Sequence, residues 1–321
     1  DHVVIARAID CAGNETDDEN EYTVDNTPPD VTKIPPSGSL VTETTPIEVT
    51  ASDDICLDRV ELYIDGVLVE TVEDNGPDDD DPDDNEINFT FSWDTTEFAD
   101  GTHIVIARAI DCVGNETDDE NEYIVDNTPP DVTKTPPSGL LVTGITPIEV
   151  RAEDDICLDR AELYIDGVLV ETVEDNGPSD DNPASDIIEF TFNWNTNLET
   201  NGTHVVLARA IDCVGNQSDD LNEYLVDNTP PVVNIDNPTD GDILNGTVPI
   251  DVSSSDNECL ERVELYIDGD LVETVVVDPP GGTTADFTFD WDTTGEANGS
   301  HNIETIAYDC AGNQAIDQIE V

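Results

Sequence analysis

One motif returns through the chain at a fixed interval. It reads A-I-D-C-x-G-N, then an acidic run, then D-N-T-P-P. The aspartates that open D-N-T-P-P are Asp25, Asp126 and Asp227, spaced 101 residues apart. Cys11, Cys112 and Cys213 keep the same step, and Cys310 follows after 97 residues. E-L-Y-I-D-G recurs at Glu61, Glu162 and Glu264, and a tryptophan follows each copy, at Trp93, Trp194 and Trp291. Fixed self-similarity sets the architecture before any local reading. This period is too long for a solenoid unit and has the size of one small domain. The expected organisation is a partial domain over 1–25, holding the last two strands only, then whole domains over 26–126, 127–227 and 228–321.

Residues 2–22 match 103–123 except at Val3 against Ile104 and Ala12 against Val113. Residues 1–25 therefore read as the closing quarter of a further copy. Two explanations stand side by side: a window on a longer array, or an end that completes another subunit's sheet by strand addition.

Within the copy at 26–126, P-I-E-V-T-A-S alternates and is rich in β-branched residues. R-V-E-L-Y-I-D-G-V-L-V-E-T-V is two alternating runs around Asp65-Gly66, a strong hairpin signal. I-N-F-T-F-S-W puts Ile87, Phe89, Phe91 and Trp93 on one face. About seven short strands in about 100 residues, with no helical periodicity, predict an all-β fold of tandem immunoglobulin-like β-sandwiches. Comparing copies also orients the strand at 104–109. Val105, Ala107 and Ala109 align with residues that tolerate less polarity, so they face the core. Ile104 and Ile106, and their counterparts Val205 and Leu207, then face outward, either as a lateral contact stripe or under long neighbouring side chains.

V-E-L-Y-I-D-G-V-L-V-E-T-V, F-S-W-D-T-T and D-G-T-H-I-V-I-A-R-A-I-D-C-V-G-N together resemble the tandem bacterial Ig-like domains of prokaryotic surface and secreted proteins. The resemblance covers all three whole copies and the fragment. It implies spacer, stalk, adhesin, filament or accessory-module roles. The chain departs from the usual pattern in carrying a cysteine pair per copy and a very acidic loop.

In such a sandwich Cys56, Cys157 and Cys259 lie in a loop at the same pole as the A-I-D-C turn. The resemblance thus implies disulfides Cys56–Cys112, Cys157–Cys213 and Cys259–Cys310, with Cys11 left over. Zinc is a poor alternative, because two cysteines per copy have no histidine near them. A nucleophilic thiol lacks a base, since His2, His103, His204 and His301 all occupy one repeat position at the start of a strand. Disulfides place the chain outside a reducing cytosol, at the cell surface or beyond.

Nine Lys and Arg against 77 Asp and Glu give a formal charge of −68. Such a chain repels nucleic acid and repels itself in dilute buffer. High salt or divalent cations would offset this, and a saline habitat, bacterial or archaeal, is expected. Calcium takes six to eight oxygens from carboxylates, amides and carbonyls. The expected calcium sets are Asp25, Asn26, Asp53, Asp54, Asp111 and Asn115; then Asp126, Asn127, Asp154, Asp155, Asp212 and Asn216; then Asp227, Asn228, Asp256, Asn257, Asp309 and Asn313. The alternative is a salt-adapted surface with no fixed ion. The acidic loop at 74–86 varies between copies and reads as a solvated loop, not a site. N-x-S/T sequons at Asn14, Asn88, Asn115, Asn201, Asn216, Asn245 and Asn298 are candidate glycan acceptors, although Asn115 and Asn216 cannot readily serve calcium as well.

Nothing reads as a membrane helix, a signal peptide or a lipid anchor, and any membrane attachment is expected outside this segment. Carboxylate pairs suited to acid–base work occur anywhere in so acidic a chain and carry no weight. The expected function is a non-enzymatic extracellular structural repeat protein, a stalk or filament that associates with copies of itself and takes no small-molecule substrate. Its rival is an adhesin or carbohydrate-binding accessory region of a larger secreted protein.

Overall fold

A computed structural model describes residues 2–73, 85–175, 186–278 and 281–321. Most of the acidic loop discussed above lies outside these residues. The chain divides into two units, 1–128 with 213–216, and 129–212 with 217–321.

The first unit opens with a hairpin, β1 (His2–Ile9) and β2 (Glu15–Tyr22), whose residues are all exposed. A sandwich follows: β3 (Asp30–Ile34), β4 (Ser39–Val41), β5 (Thr44–Ser52), β6 (Leu57–Ile64), β7 (Val67–Glu73), β8 (Glu86–Asp94), β9 (Gly101–Asp111) and β10 (Glu116–Val125). One sheet has the order β3-β5-β8 and the other β4-β10-β9-β6-β7. This makes eight strands where about seven were expected. The additional element is β4, three residues that pair parallel to β10. Pro35 and Pro36 separate it from β3, because proline offers no N–H to continue a ladder.

The second unit holds two sandwiches. The first contains β11 (Asp131–Thr135), β12 (Leu141–Val142), β13 (Ile145–Glu153), β14 (Leu158–Ile165), β15 (Val168–Glu174), β16 (Ile187–Asn195), β17 (Gly202–Asp212) and β18 (Gln217–Val226). The other contains β19 (Val232–Asn237), β20 (Thr247–Ser255), β21 (Leu260–Ile267), β22 (Asp270–Val276), β23 (Thr284–Asp292), β24 (Asn302–Asp309) and β25 (Gln314–Glu320). The sheet orders repeat those of the first unit, except that among the described residues the last sandwich shows no short parallel strand.

Alternation decides the packing. Val105, Ala107 and Ala109 are 0 % exposed and meet Ile47, Val60, Leu62 and Trp93 in the core. The outward set is only partly covered, with Ile104 38 % exposed. Tyr63 is the cross-strand partner of Ile106 and lies on the same outer face. The β6–β7 turn places Asp65 at φ 49° and Gly66 at φ 77°, the two left-handed positions an Asp-Gly hairpin supplies.

Candidate functional site at the acidic joints

In the first unit, Asp25, Asp53 and Asp111 each bring a carboxylate oxygen within 4.8 Å of the others. Local turn chemistry fixes them. Asp53 follows β5 and accepts the amides of Ile55 and Cys56 on Oδ1 at 2.8 and 2.9 Å, which leaves Oδ2 buried with no donor. Asp111 ends β9. Its Oδ1 accepts the amides of Val113, Gly114 and Asn115, and its Oδ2 accepts Asn115 Nδ2 at 2.6 Å. Burial pushes this carboxyl up, but the Asn115 and turn amides outweigh it and hold it below the usual carboxylate range.

The second unit repeats the arrangement with Asp227, Asp256 and Asp309, again within 4.8 Å. Asp227 is 0 % exposed. Its Oδ1 accepts Asn201 Nδ2 at 2.8 Å and the Thr229 amide at 3.1 Å, while its Oδ2 is buried without a donor. Asp256 Oδ1 accepts the amides of Glu258 and Cys259, and its Oδ2 is likewise buried and unpartnered. Asp309 binds Asn313 through both oxygens at 2.7 Å. Burial, reinforced by the neighbouring Asp227 charge, pushes the Asp309 carboxyl up from its ordinary value. Asn313 also donates to the Asp227 carbonyl at 2.9 Å and accepts from Thr143 Oγ1 at 3.1 Å. The second and third sandwiches therefore meet through this asparagine and these three acids.

The asparagine half of the expected sets behaves differently. Asn127 Oδ1 accepts from Thr42 Oγ1, the Glu43 amide and Thr95 Oγ1, and its Nδ2 donates to the Thr95 carbonyl. Asn228 makes the matching contacts with Thr143, Thr196 and Glu199. Both close the end of the sandwich they leave; neither joins the acids. Asn115 and Asn313 aim their amide nitrogens at the carboxylates, so their oxygens are not the ligands expected. Asn257 Nδ2 reaches Asp227 Oδ1 at 3.4 Å. Asn216 Nδ2 reaches the Asp126 carbonyl at 3.3 Å. Asn26, Asp54 and Asp155 are exposed, whereas Asp126 and Asp212 are buried. Asp154 Oδ1 holds the turn amides of Ile156 and Cys157.

Cys56–Cys112 and Cys259–Cys310 are disulfides with Cα separations of 5.6 and 5.4 Å. Cys157 and Cys213 are disulfide-bonded too, and Cys11 is a free, exposed cysteine. Of the sequon asparagines, Asn14, Asn88, Asn201, Asn245 and Asn298 are exposed. Asn201 donates to Asp227 and to Thr229 Oγ1 at 2.8 Å each, which ties its amide nitrogen to the joint.

Sequence reasoning missed a histidine clamp. His204 Nδ1 meets Asp166 Oδ2 at 2.6 Å and Nε2 meets the Thr200 carbonyl at 2.8 Å. His103 and His301 repeat it on Asp65 and Ala99, and on Asp268 and Ala297. The single repeat position shared by all histidines was the available signal.

Paired, mostly antiparallel sheets with a repeated interior tryptophan define an array of immunoglobulin-type sandwiches. The family described as "Bacterial Ig domain" matches residues 29–107 and 231–304, and "Bacterial Ig-like domain (group 3)" matches 188–266. The chain is a tandem array of bacterial Ig-like domains. No curated protein matches it. Among solved structures it is similar to a tetra-tandem repeat from the extending region of a large adhesion protein, at 19 % identity and TM-score 0.37, covering 99 % of this chain and 80 % of that one. It is also similar to a 1.5-MDa bacterial ice-binding adhesin, at 16 % identity and TM-score 0.38, covering 92 % and 98 %. Titin domains I67–I69 align at 12 % identity and TM-score 0.47, covering 92 % and 98 %. Among the described residues no helix is long and apolar enough to cross a membrane.

Proposed function

We propose that the chain is a non-enzymatic extracellular spacer, a stalk or filament whose joints are stiffened by calcium. The observation that carries this reading is the recurrence of one acidic joint. Three aspartates meet at each of two junctions, and the Oδ2 atoms of Asp53, Asp227 and Asp256 are buried there without a donor. A buried carboxylate oxygen with no donor is costly. A hard cation that takes oxygen ligands removes that cost. Asp25, Asp53 and Asp111 would hold one ion, and Asp227, Asp256 and Asp309 another. Such an ion supplies charge neutralisation only. The disulfides fit an oxidising location. Trp93, Trp194 and Trp291 are between 1 and 5 % exposed, so they offer no aromatic platform for a sugar.

Antibody against the folded chain, applied to intact cells, tests the location. Labelling of unpermeabilised cells or of material shed from them is expected. Labelling confined to permeabilised cells overturns the extracellular reading.

A further inference from the structure

Lys33 and Lys134 are the only lysines in the chain, and both side chains are 0 % exposed. A protein with 77 acidic side chains thus keeps both of its lysine amines in the interior. Each occupies the same place, on the first strand of a sandwich, facing the last strand, which belongs to the opposite sheet. Lys33 Nζ lies 3.1 Å from Asp119 Oδ2 and donates to the Asp119 carbonyl. Lys134 Nζ lies 3.3 Å from Asp220 Oδ1 and donates to the Asp220 carbonyl at 2.6 Å. The Lys134 amide donates to Asp220 Oδ2 at 2.8 Å, which pins that carboxyl group beside the amine.

We propose that these two pairs close into amide cross-links, Lys33 Nζ to Asp119 Cγ and Lys134 Nζ to Asp220 Cγ, tying the first strand of each sandwich to its last. The pair holds both groups that the reaction joins. A proton passes from the ammonium to the carboxylate, giving a neutral amine and a carboxylic acid. Burial of the amine favours its giving up that proton, because the buried ammonium loses its hydration. The same burial pulls both lysine amines below the usual lysine range, against the opposing pull of Asp119 and Asp220. The nitrogen lone pair then attacks Cγ. The new N–C bond forms, the C–O bond breaks, and the departing oxygen leaves as water with the hydroxyl proton and one amine proton. Nothing is oxidised or reduced. Holding the two groups in contact replaces a bimolecular encounter with an intramolecular one.

The third sandwich is an internal control. Ile235 stands at the lysine position, and its amide donates to Asp317 Oδ2 at 2.7 Å. The carboxylate is present there and the amine is not. The mechanical benefit rests on the stalk reading: tension entering at the first strand and leaving at the last would pass through the amide.

Intact-mass spectrometry of the full chain, unfolded, reduced and alkylated, tests the proposal. A mass lower than the sequence mass by two waters is expected. Peptide mapping should show branched peptides joining Lys33 to Asp119 and Lys134 to Asp220. Lys33→Arg keeps the charge and should reduce the deficit to one water. A mass equal to the sequence mass, or a water loss with no branched peptide, overturns the cross-link and leaves two buried ion pairs. Either result leaves the stalk reading standing on its own test.

Discussion

The Asp227 cluster shows how single residues carry the account. Three carboxylates share a small volume, and Asp309 is pushed toward its protonated form by burial and by Asp227. Asp256→Asn removes one charge and one donorless oxygen. Without calcium this substitution should leave the third sandwich as stable as before or more so. With calcium it should weaken binding at least about tenfold, equivalent to about 1.4 kcal/mol. Calorimetric titration of both proteins checks this; equal affinity would remove Asp256 from the site. His204 supplies a pH test. Burial lowers its pKa, but the Thr200 carbonyl and Asp166 outweigh that and raise it overall. A raised folded pKa stabilises fully below the unfolded value of about 6.5, and that stability is lost as pH rises through the folded value. The melting temperature of the second sandwich should therefore fall as pH rises above about 6.5, and His204→Gln should flatten the profile.

At the scale of elements, the Asp65-Gly66 turn and the Cys56–Cys112 staple give two stability predictions. Gly66 adopts φ 77°, so Gly66→Ala should cost about 1–2 kcal/mol in chemical unfolding. Removing the disulfide, which spans a separation of 56 residues, should cost about 4 kcal/mol in the chain-entropy description. Much of this level was legible in the sequence. Alternating short strands marked the β-sandwich class, Asp-Gly marked the hairpin, and comparison of copies assigned Val105, Ala107 and Ala109 to the core. The approach of Asp25, Asp53 and Asp111 to one another was legible too, because Asp53 and Asp111 sit in turns whose amides they cap. The asparagine half was not. Asn127 and Asn228 lie one residue from the acids, yet each faces the threonines of the sandwich it leaves. That orientation depends on Thr95 and Thr196, which are distant in sequence. The buried lysines were equally hidden, because a lysine in an exposed-looking V-T-K strand gives no local sign that the opposite sheet covers it.

For the whole molecule the governing quantity is a formal charge of −68. Repulsion on that scale opposes compactness, and salt screens it over about 10 Å at 0.1 M and about 3 Å at 1 M. Thermal stability should therefore rise with sodium chloride, most steeply at low concentration, and far less calcium should produce a comparable rise if the joints bind it specifically. Electron microscopy of the native material with and without a calcium chelator separates ion-stiffened joints from the alternatives. Ion-stiffened joints predict extended, regular particles that bend or fray when calcium is removed. Particles equally stiff in both conditions would contradict the calcium joints, and flexible strings of beads in both would contradict the stiff stalk or filament itself.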